Sequence, residues 1–223
     1  MITLTTFSSV PPFAIGYVRD LRVRWALEEA GLPYLLRALE FQDAATPAYR
    51  REQPFSQIPV LQDGGLTLFE SGAILLHLGQ RHPVLLPRDA DERARVTAWM
   101  FAALNSVEPY VGNLVSLVVF SAGEAWAAGA RPSAEAMVDK RLRDLDDWLD
   151  GREWLAETFS AADILMTTVL RLLDDMEMVE RHGRVRAYRD RCMARPAFRK
   201  ALADQVAHFT QAQAPAAAAA AVA

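Results

Sequence analysis

The sequence predicts an α/β domain over residues 1–81, followed by an all-helical domain. Short segments that alternate apolar and β-branched side chains are confined to the first 70 residues, where they are interleaved with helix-like segments. Beyond residue 90 the apolar residues recur at three- and four-residue spacing, as in Leu142, Leu145 and Leu149. Between the two regions, residues 82–87 carry two prolines, which mark a boundary.

The first domain begins with a strand over residues 2–7, followed by a loop rich in serine, proline and glycine over residues 8–16. Residues 17–30 then show helical spacing and end at Gly31, which predicts an amphipathic helix. Its polar side is expected to carry Arg19, Arg22 and Arg24.

A second strand is predicted over residues 34–41, and irregular backbone with a helical turn over residues 42–54. Two apolar segments, 58–62 and 66–69, are separated by Asp63-Gly64-Gly65, which is typical of a β-hairpin. Ser71 is expected to cap the next helix, over residues 72–81.

The remaining segments are a linker over residues 82–90, the helical domain over residues 91–213 and a disordered Ala-rich tail over residues 214–223. Within the helical domain, Ser160 and Asp163 have the spacing of a capping box, and Phe159 and Ile164 that of a hydrophobic staple.

Composition excludes several classes of protein. The net charge of −4 gives no basic footprint for nucleic acid, and no signal peptide or membrane span is expected. The single cysteine, Cys192, excludes an intrachain disulfide and is expected to be an inert helix residue. The four histidines show no metal-ligand spacing, so we expect no metal.

Four segments resemble the cytosolic glutathione S-transferases: QPFSQIPVL at 53–61, LTLFESGAI at 66–74, RVRWALEEAGLPY at 22–34 and FSAADI at 159–164. The resemblance covers nearly the whole chain. It implies a thioredoxin-like glutathione-binding first domain, an all-α second domain, glutathione as co-substrate and a cytoplasmic homodimer.

The resemblance also implies roles for five residues in glutathione binding. Ile58 would pair through its main chain with the cysteinyl residue of glutathione, and Pro59, after a cis peptide bond, would shape that turn. Glu70 would meet the γ-glutamyl ammonium group and Ser71 its carboxylate, at a helix N-terminus that favours anions. Gln57 would hold the peptide part.

Family chemistry needs a hydroxyl or thiol that hydrogen-bonds the glutathione sulfur and lowers its pKa. No cysteine lies in residues 1–191, which argues against branches of the family that use an active-site cysteine. Counting back from Arg22 favours Tyr17, whereas counting forward from the first strand favours Ser8 or Ser9. Both alternatives stay open at this point.

The electrophile is expected to bind a pocket between the domains, with an apolar lining. Its predicted lining residues are Phe13, Trp99, Ala103, Ser106 and Tyr110. The expected reaction is conjugation of glutathione to a small apolar electrophile. The alternatives are a glutathione-dependent isomerase or dehalogenase, and a non-catalytic binding module, since a fold does not establish an activity.

Overall fold

The computed structural model describes the backbone of residues 1–220 and the side chains of residues 1–211. The chain divides into two compact units. One comprises Met1–His82 together with the chain from Pro196 onwards, and the other is Pro83–Arg195. The division after His82 falls at the start of the predicted linker. The final helix, however, groups with the first unit, whereas the sequence assigned it to the helical domain.

The first unit contains four strands and four of the described helices. The strands are β1 (Ile2–Phe7), β2 (Tyr34–Leu39), β3 (Val60–Asp63) and β4 (Leu66–Phe69). The helices are α1 (Asp20–Glu29), α2 (Pro47–Arg50), α3 (Ser71–Gly79) and α9 (Pro196–Ala220), with 3₁₀ turns at Pro12–Ala14 and Phe41–Ala45.

The strands form one mixed sheet in the order β2-β1-β3-β4. β1 is parallel to β2 and antiparallel to β3, and β3 is antiparallel to β4. Asp63 pairs with Leu66 across the predicted hairpin, and Gly64 adopts the left-handed conformation (φ +62°) that its turn requires. This small sheet with its helices is the thioredoxin-like domain that the sequence predicted.

Helix α1 is not amphipathic, because every residue from Asp20 to Leu27 is buried. It contacts β1, α3 and α9, and only its last two residues, Glu28 and Glu29, are partly exposed. The prediction that Arg22 and Arg24 lie on a polar surface is therefore wrong: they are 3% and 1% exposed. Arg24 Nε donates to Asp20 Oδ2 at 2.6 Å, and this ion pair compensates the buried charges.

Helix α9 packs along α1. The rings of Phe198 and Trp25 meet edge to face with centroids 4.8 Å apart, and Lys200 Nζ donates to Glu28 Oε1 at 2.9 Å. These contacts explain why α9 belongs to the first unit. The Ala-rich tail predicted as disordered over residues 214–223 is helical in backbone as far as Ala220, and the rest of it lies outside the described residues.

The second unit is helical. Its helices are α4 (Ala90–Phe101), α5 (Glu108–Val115), α6 (Ala125–Trp148), α7 (Ala161–Arg171) and α8 (Gly183–Met193), with π-helical segments at Ala102–Val107 and Ser116–Phe120 and 3₁₀ turns at Asp174–Met176 and Val179–Arg181. The predicted linker is partly built into this unit, because Leu85 and Leu86 are buried and Leu85 O accepts from Ala161 N at 2.8 Å.

Helix α7 begins with the predicted capping box. Ser160 Oγ accepts from Ala162 N at 3.3 Å, and Asp163 Oδ2 accepts from Ser160 N at 2.9 Å. Asp163 is fully buried, and its Oδ1 also accepts from Leu155 N at 3.1 Å and from the Tyr188 hydroxyl at 2.9 Å. The carboxylate thus joins the α7 N-terminus to the preceding loop and to α8.

The continuous helix Ala90–Phe120 is, among the described residues, the one stretch long and apolar enough to cross a membrane by length and composition. Helices of soluble proteins also meet this criterion, so it does not by itself indicate a span. Within the described chain, no group of three or more His, Cys, Asp or Glu side chains is arranged to hold a metal ion.

We expect Asp163→Ala to lower the free energy of unfolding by about 3 kcal/mol, because it leaves several buried donors without an acceptor. Urea denaturation measures this loss, and Asp144→Ala on the exposed side of α6 is the matched control, with a change of at most ~0.5 kcal/mol. Glutathione affinity per folded molecule should not change, and weakened binding without loss of stability would contradict this structural role.

Burial raises the pKa of Asp163 to about 6. The native state therefore takes up a proton here at higher pH than the unfolded chain does, so this group adds stability as pH falls. We expect the free energy of unfolding of the wild type, relative to Asp163→Asn, to increase between pH 7 and 4 by about 2 kcal/mol. Urea titrations at each pH give this difference in free energy of unfolding. A difference that decreases as the pH falls would show that the native state lowers the pKa of Asp163.

Candidate active site

Three chain segments meet at one end of the sheet. Thr5 pairs with Val60, and Val60 pairs with Phe69, so the end of β1, the start of β3 and the end of β4 lie side by side. The residues just beyond these strand ends are Ser8, Pro59 and Glu70. Segments far apart in sequence, each carrying a predicted site residue, therefore reach the same edge.

An apolar cluster lies beneath this edge. Its buried members are Ala44, Tyr49, Ile58 and Val60, and Phe7, Val18, Leu39 and Phe69 pack against it. The side chain of Ile58 is itself a cluster member, while Phe7, Val18 and Phe69 are the chain neighbours of Ser8, Tyr17 and Glu70. By packing these neighbours, the cluster fixes the backbone that carries the predicted site residues.

The Ile58–Pro59 peptide bond is cis, as the sequence analysis expected. The Ile58 side chain is 9% exposed, so its role toward a ligand would fall to its main chain. Tyr49, which the sequence analysis did not single out, donates from its hydroxyl to the main-chain oxygen of Gln57 at 2.7 Å. Burial raises the pKa of Tyr49 to about 12, so the phenol stays a donor and holds the chain just before Ile58.

Glu70 and Ser71 open helix α3, and the structure differs from the prediction in which of them is the N-cap. Glu70 is the N-cap residue, exposed and with a positive φ of 66°, whereas Ser71 is the first helical residue and is buried. The Ser71 hydroxyl accepts from Arg22 Nη1 at 3.2 Å instead of capping the helix. The prediction of Ser71 as N-cap is therefore wrong.

Arg22 is the partner of Ser71 that sequence reasoning missed. Its side chain comes from α1, 49 residues earlier in the chain, and is buried. The guanidinium places a positive charge beside the N-terminal end of α3. A negatively charged ligand group at this end is favoured by both the cation and the free N–H groups of the helix.

The three candidate hydroxyl residues lie on the loop between β1 and α1. Ser8 is half-buried, and its N–H donates to Leu39 O at 2.8 Å, which extends the pairing of β1 with β2. Ser9 is exposed. Tyr17 is half-buried, and its N–H donates to Ala14 O at 3.0 Å. Because α1 begins at Asp20, three residues later than predicted, Tyr17 belongs to this loop and precedes the helix N-terminus.

The residues predicted to line an electrophile pocket have different environments. Phe13 is exposed in the first unit, and in the second unit Trp99 is half-buried against Trp148, with ring centroids 5.0 Å apart. Ser106 is exposed, and Ala103 is fully buried. The Ala103 side chain has no exposed surface in this structure, and its place in a pocket lining stays a prediction.

Tyr110 has a defined partner. Its hydroxyl oxygen accepts from Arg141 Nη2 at 3.0 Å, and the guanidinium carbon lies 4.5 Å from the ring centroid. This contact joins α5 to α6 and fixes the direction of the phenol.

Cys192 is buried in α8, as expected for a structural residue. Burial raises the pKa of its thiol to about 12, which keeps it protonated. It is therefore not a reactive thiolate.

Comparisons with known proteins place the chain among relatives of one family. Residues 12–80 match the family model "Glutathione S-transferase, N-terminal domain". The chain is 32% identical over 203 residues to glutathione S-transferase 4 from Zea mays, covering 84% of this chain and 86% of the relative. It is 30% identical over 194 residues to a disulfide-bond oxidoreductase from Escherichia coli, covering 79% and 86%.

A solved structure extends the comparison to the whole fold. The glutathione transferase from Pseudomonas putida, crystallised with one glutathione disulfide bound per subunit, superposes with a TM-score of 0.79 at 26% identity, covering 90% of each chain. The family predicted from the four sequence segments is thus confirmed: the chain belongs to the glutathione S-transferase family.

Proposed function

We propose that this chain binds glutathione at the sheet edge described above and activates its thiol with the Tyr17 hydroxyl, for transfer to a small apolar electrophile. The observation that carries the proposal is the convergence of Ile58, Glu70 and Ser71 with the β1–α1 loop. These groups would supply a main-chain edge, a carboxylate and a helix N-terminus next to hydroxyl donors.

In this proposal each end of glutathione meets a group of matching chemistry. The main chain of Ile58 would pair with the cysteinyl residue, and the exposed Glu70 carboxylate would meet the γ-glutamyl ammonium group. The α-carboxylate beside that ammonium would lie near the α3 N-terminus, where Arg22 adds positive charge. The glutathione sulfur would then lie toward the β1–α1 loop.

Thiol activation follows from hydrogen bonding to the charged form. A hydroxyl that donates to sulfur favours thiolate over thiol and so lowers the thiol pKa. The thiolate attacks the electrophilic carbon, a C–S bond forms, and the leaving group departs with the displaced electron pair. Tyr17 is preferred because it lies just before α1, whose N-terminal dipole also favours a thiolate. Ser9, exposed on the same loop, is the alternative donor.

Disulfide reduction is a second candidate, favoured by the similarity to the Escherichia coli disulfide-bond oxidoreductase. Here the bound thiolate would attack a disulfide sulfur, form a mixed disulfide that contains glutathione and release one thiolate. A second glutathione thiolate would then attack the glutathione sulfur of this mixed disulfide, form oxidised glutathione and release the other thiolate. Product analysis separates the candidates. Conjugation consumes one glutathione per electrophile, an isomerase consumes none, and reduction yields oxidised glutathione. The homodimer expected for this family stays a prediction.

We expect Tyr17→Phe to raise the pKa of bound glutathione and to lower kcat/KM by about 100-fold, because it removes the donor proposed to stabilise the thiolate. Ultraviolet thiolate absorbance across pH, with a chlorinated nitroarene as electrophile, measures both effects. Ser8→Ala and Ser9→Ala are the matched controls and should stay near the wild type. If Ser9→Ala alone loses thiolate, the donor is Ser9. A wild type that binds no glutathione would overturn the proposed function.

We expect Glu70→Gln to weaken glutathione binding by about tenfold, because it removes the carboxylate that would meet the γ-glutamyl ammonium group. Isothermal titration with glutathione measures the Kd. The control is Glu157→Gln, an exposed glutamate of the second unit that should leave the Kd unchanged. Equal affinities for both variants would show that Glu70 does not contact the ligand.

A further inference from the structure

The last described helix holds both ends of the β1–α1 loop. His208 Nε2 lies 2.9 Å from Phe7 O, the residue before Ser8. Gln205 Nε2 donates to Val18 O, the residue after Tyr17, at 3.0 Å. His208 and Gln205 stand three residues apart on α9, and therefore on one face of it. All of these residues belong to the first unit.

The direction of each hydrogen bond is set by chemistry. A carbonyl oxygen only accepts, so His208 must donate from Nε2. The Gln205 amide nitrogen has two hydrogens and uses both, one for Val18 O and one for Asp20 Oδ1 at 2.5 Å. Gln205 and Asp20 are fully buried, so no water replaces these bonds without a conformational change.

These contacts are distinct from those that dock the helix. Phe198 packs on Trp25, and Lys200 pairs with Glu28, both toward the C-terminal half of α1. Because α9 runs antiparallel to α1, its later residues reach the N-terminal end of α1 and the loop before it. The early contacts hold the helix on the domain, whereas the later ones contact the loop backbone itself.

We propose that Gln205 and His208 are positioning residues for thiol activation, fixing both ends of the loop that carries Ser8, Ser9 and Tyr17. The inference rests on the proposed function, because it assigns these residues an effect on the hydroxyl that meets the glutathione sulfur. A displacement of about 1 Å at a reacting group can cost about 100-fold in rate. Glutathione binding would change little, since Ile58, Glu70 and Ser71 stand on other segments.

The test compares two variants at His208, of which only one keeps an N–H group that can donate to Phe7 O. His208→Phe keeps a ring but removes the donor, whereas His208→Gln keeps an N–H at a similar distance. We expect His208→Phe and Gln205→Leu to lower kcat by about tenfold or more and to raise the pKa of bound glutathione, with KM for glutathione within about twofold. His208→Gln should recover most of kcat.

Phe198→Leu is the control for docking alone. It weakens the packing of α9 on Trp25 without touching either loop contact, so it should lower the melting temperature and leave kcat unchanged well below that temperature. The proposal is overturned if His208→Phe leaves kcat and the thiol pKa as in the wild type, if His208→Gln is as impaired as His208→Phe, or if Phe198→Leu has the same kinetic effect.

Hydrogen exchange provides a readout that does not depend on turnover. In His208→Phe we expect amides of residues 8–19 to exchange about tenfold faster or more, while those of the β3–β4 hairpin keep their wild-type rates. Unchanged exchange in the loop would overturn the anchoring whatever the activity. A wild type without thiolate would overturn the proposed function and the catalytic part of this inference, while exchange would still decide whether α9 anchors the loop.

Discussion

The candidate site depends on the burial of one side chain, Ile58. Its side chain enters the apolar cluster with Tyr49 and Val60, so its main chain is fixed at the sheet edge. Phe7, Val18 and Phe69 pack on the same cluster, and each is a chain neighbour of a predicted site residue. Apolar packing therefore fixes the backbone that carries the polar groups of the candidate site. Hydrogen bonds among those polar groups could also fix them, but such bonds would compete with a ligand for the same donors and acceptors.

Two buried arginines of the first unit also contribute to the candidate site. Arg22 and Arg24 are buried in α1, which carries a cost unless each guanidinium meets a partner. Arg24 meets Asp20 within the same helix, whereas Arg22 reaches Ser71 on α3. The contact between Arg22 and Ser71 joins α1 to α3 near the candidate site. Arg22, which the sequence predicted to lie on the surface, thus places a positive charge at that edge of the sheet.

Much of the architecture was predictable because it depends on local rules. The β1 strand, the hairpin at Gly64 and the capping box at Asp163 all follow from spacing and turn chemistry over a few residues. The same rules predicted the start of α1 three residues too early and wrongly predicted a polar side for this helix. Helical spacing shows which residues share a face, but it does not show that α9, about 180 residues later, covers the remaining face.

The sequence by itself determined the family, the two kinds of domain and the segments that carry the candidate site, because motif residues and strand patterns are properties of neighbouring positions. Only the tertiary structure decided that Ser71 bonds Arg22, that Ala103 is enclosed, and that Gln205 and His208 reach the β1–α1 loop. These contacts join residues up to 201 positions apart. They arise from packing between elements, for which no local spacing rule exists.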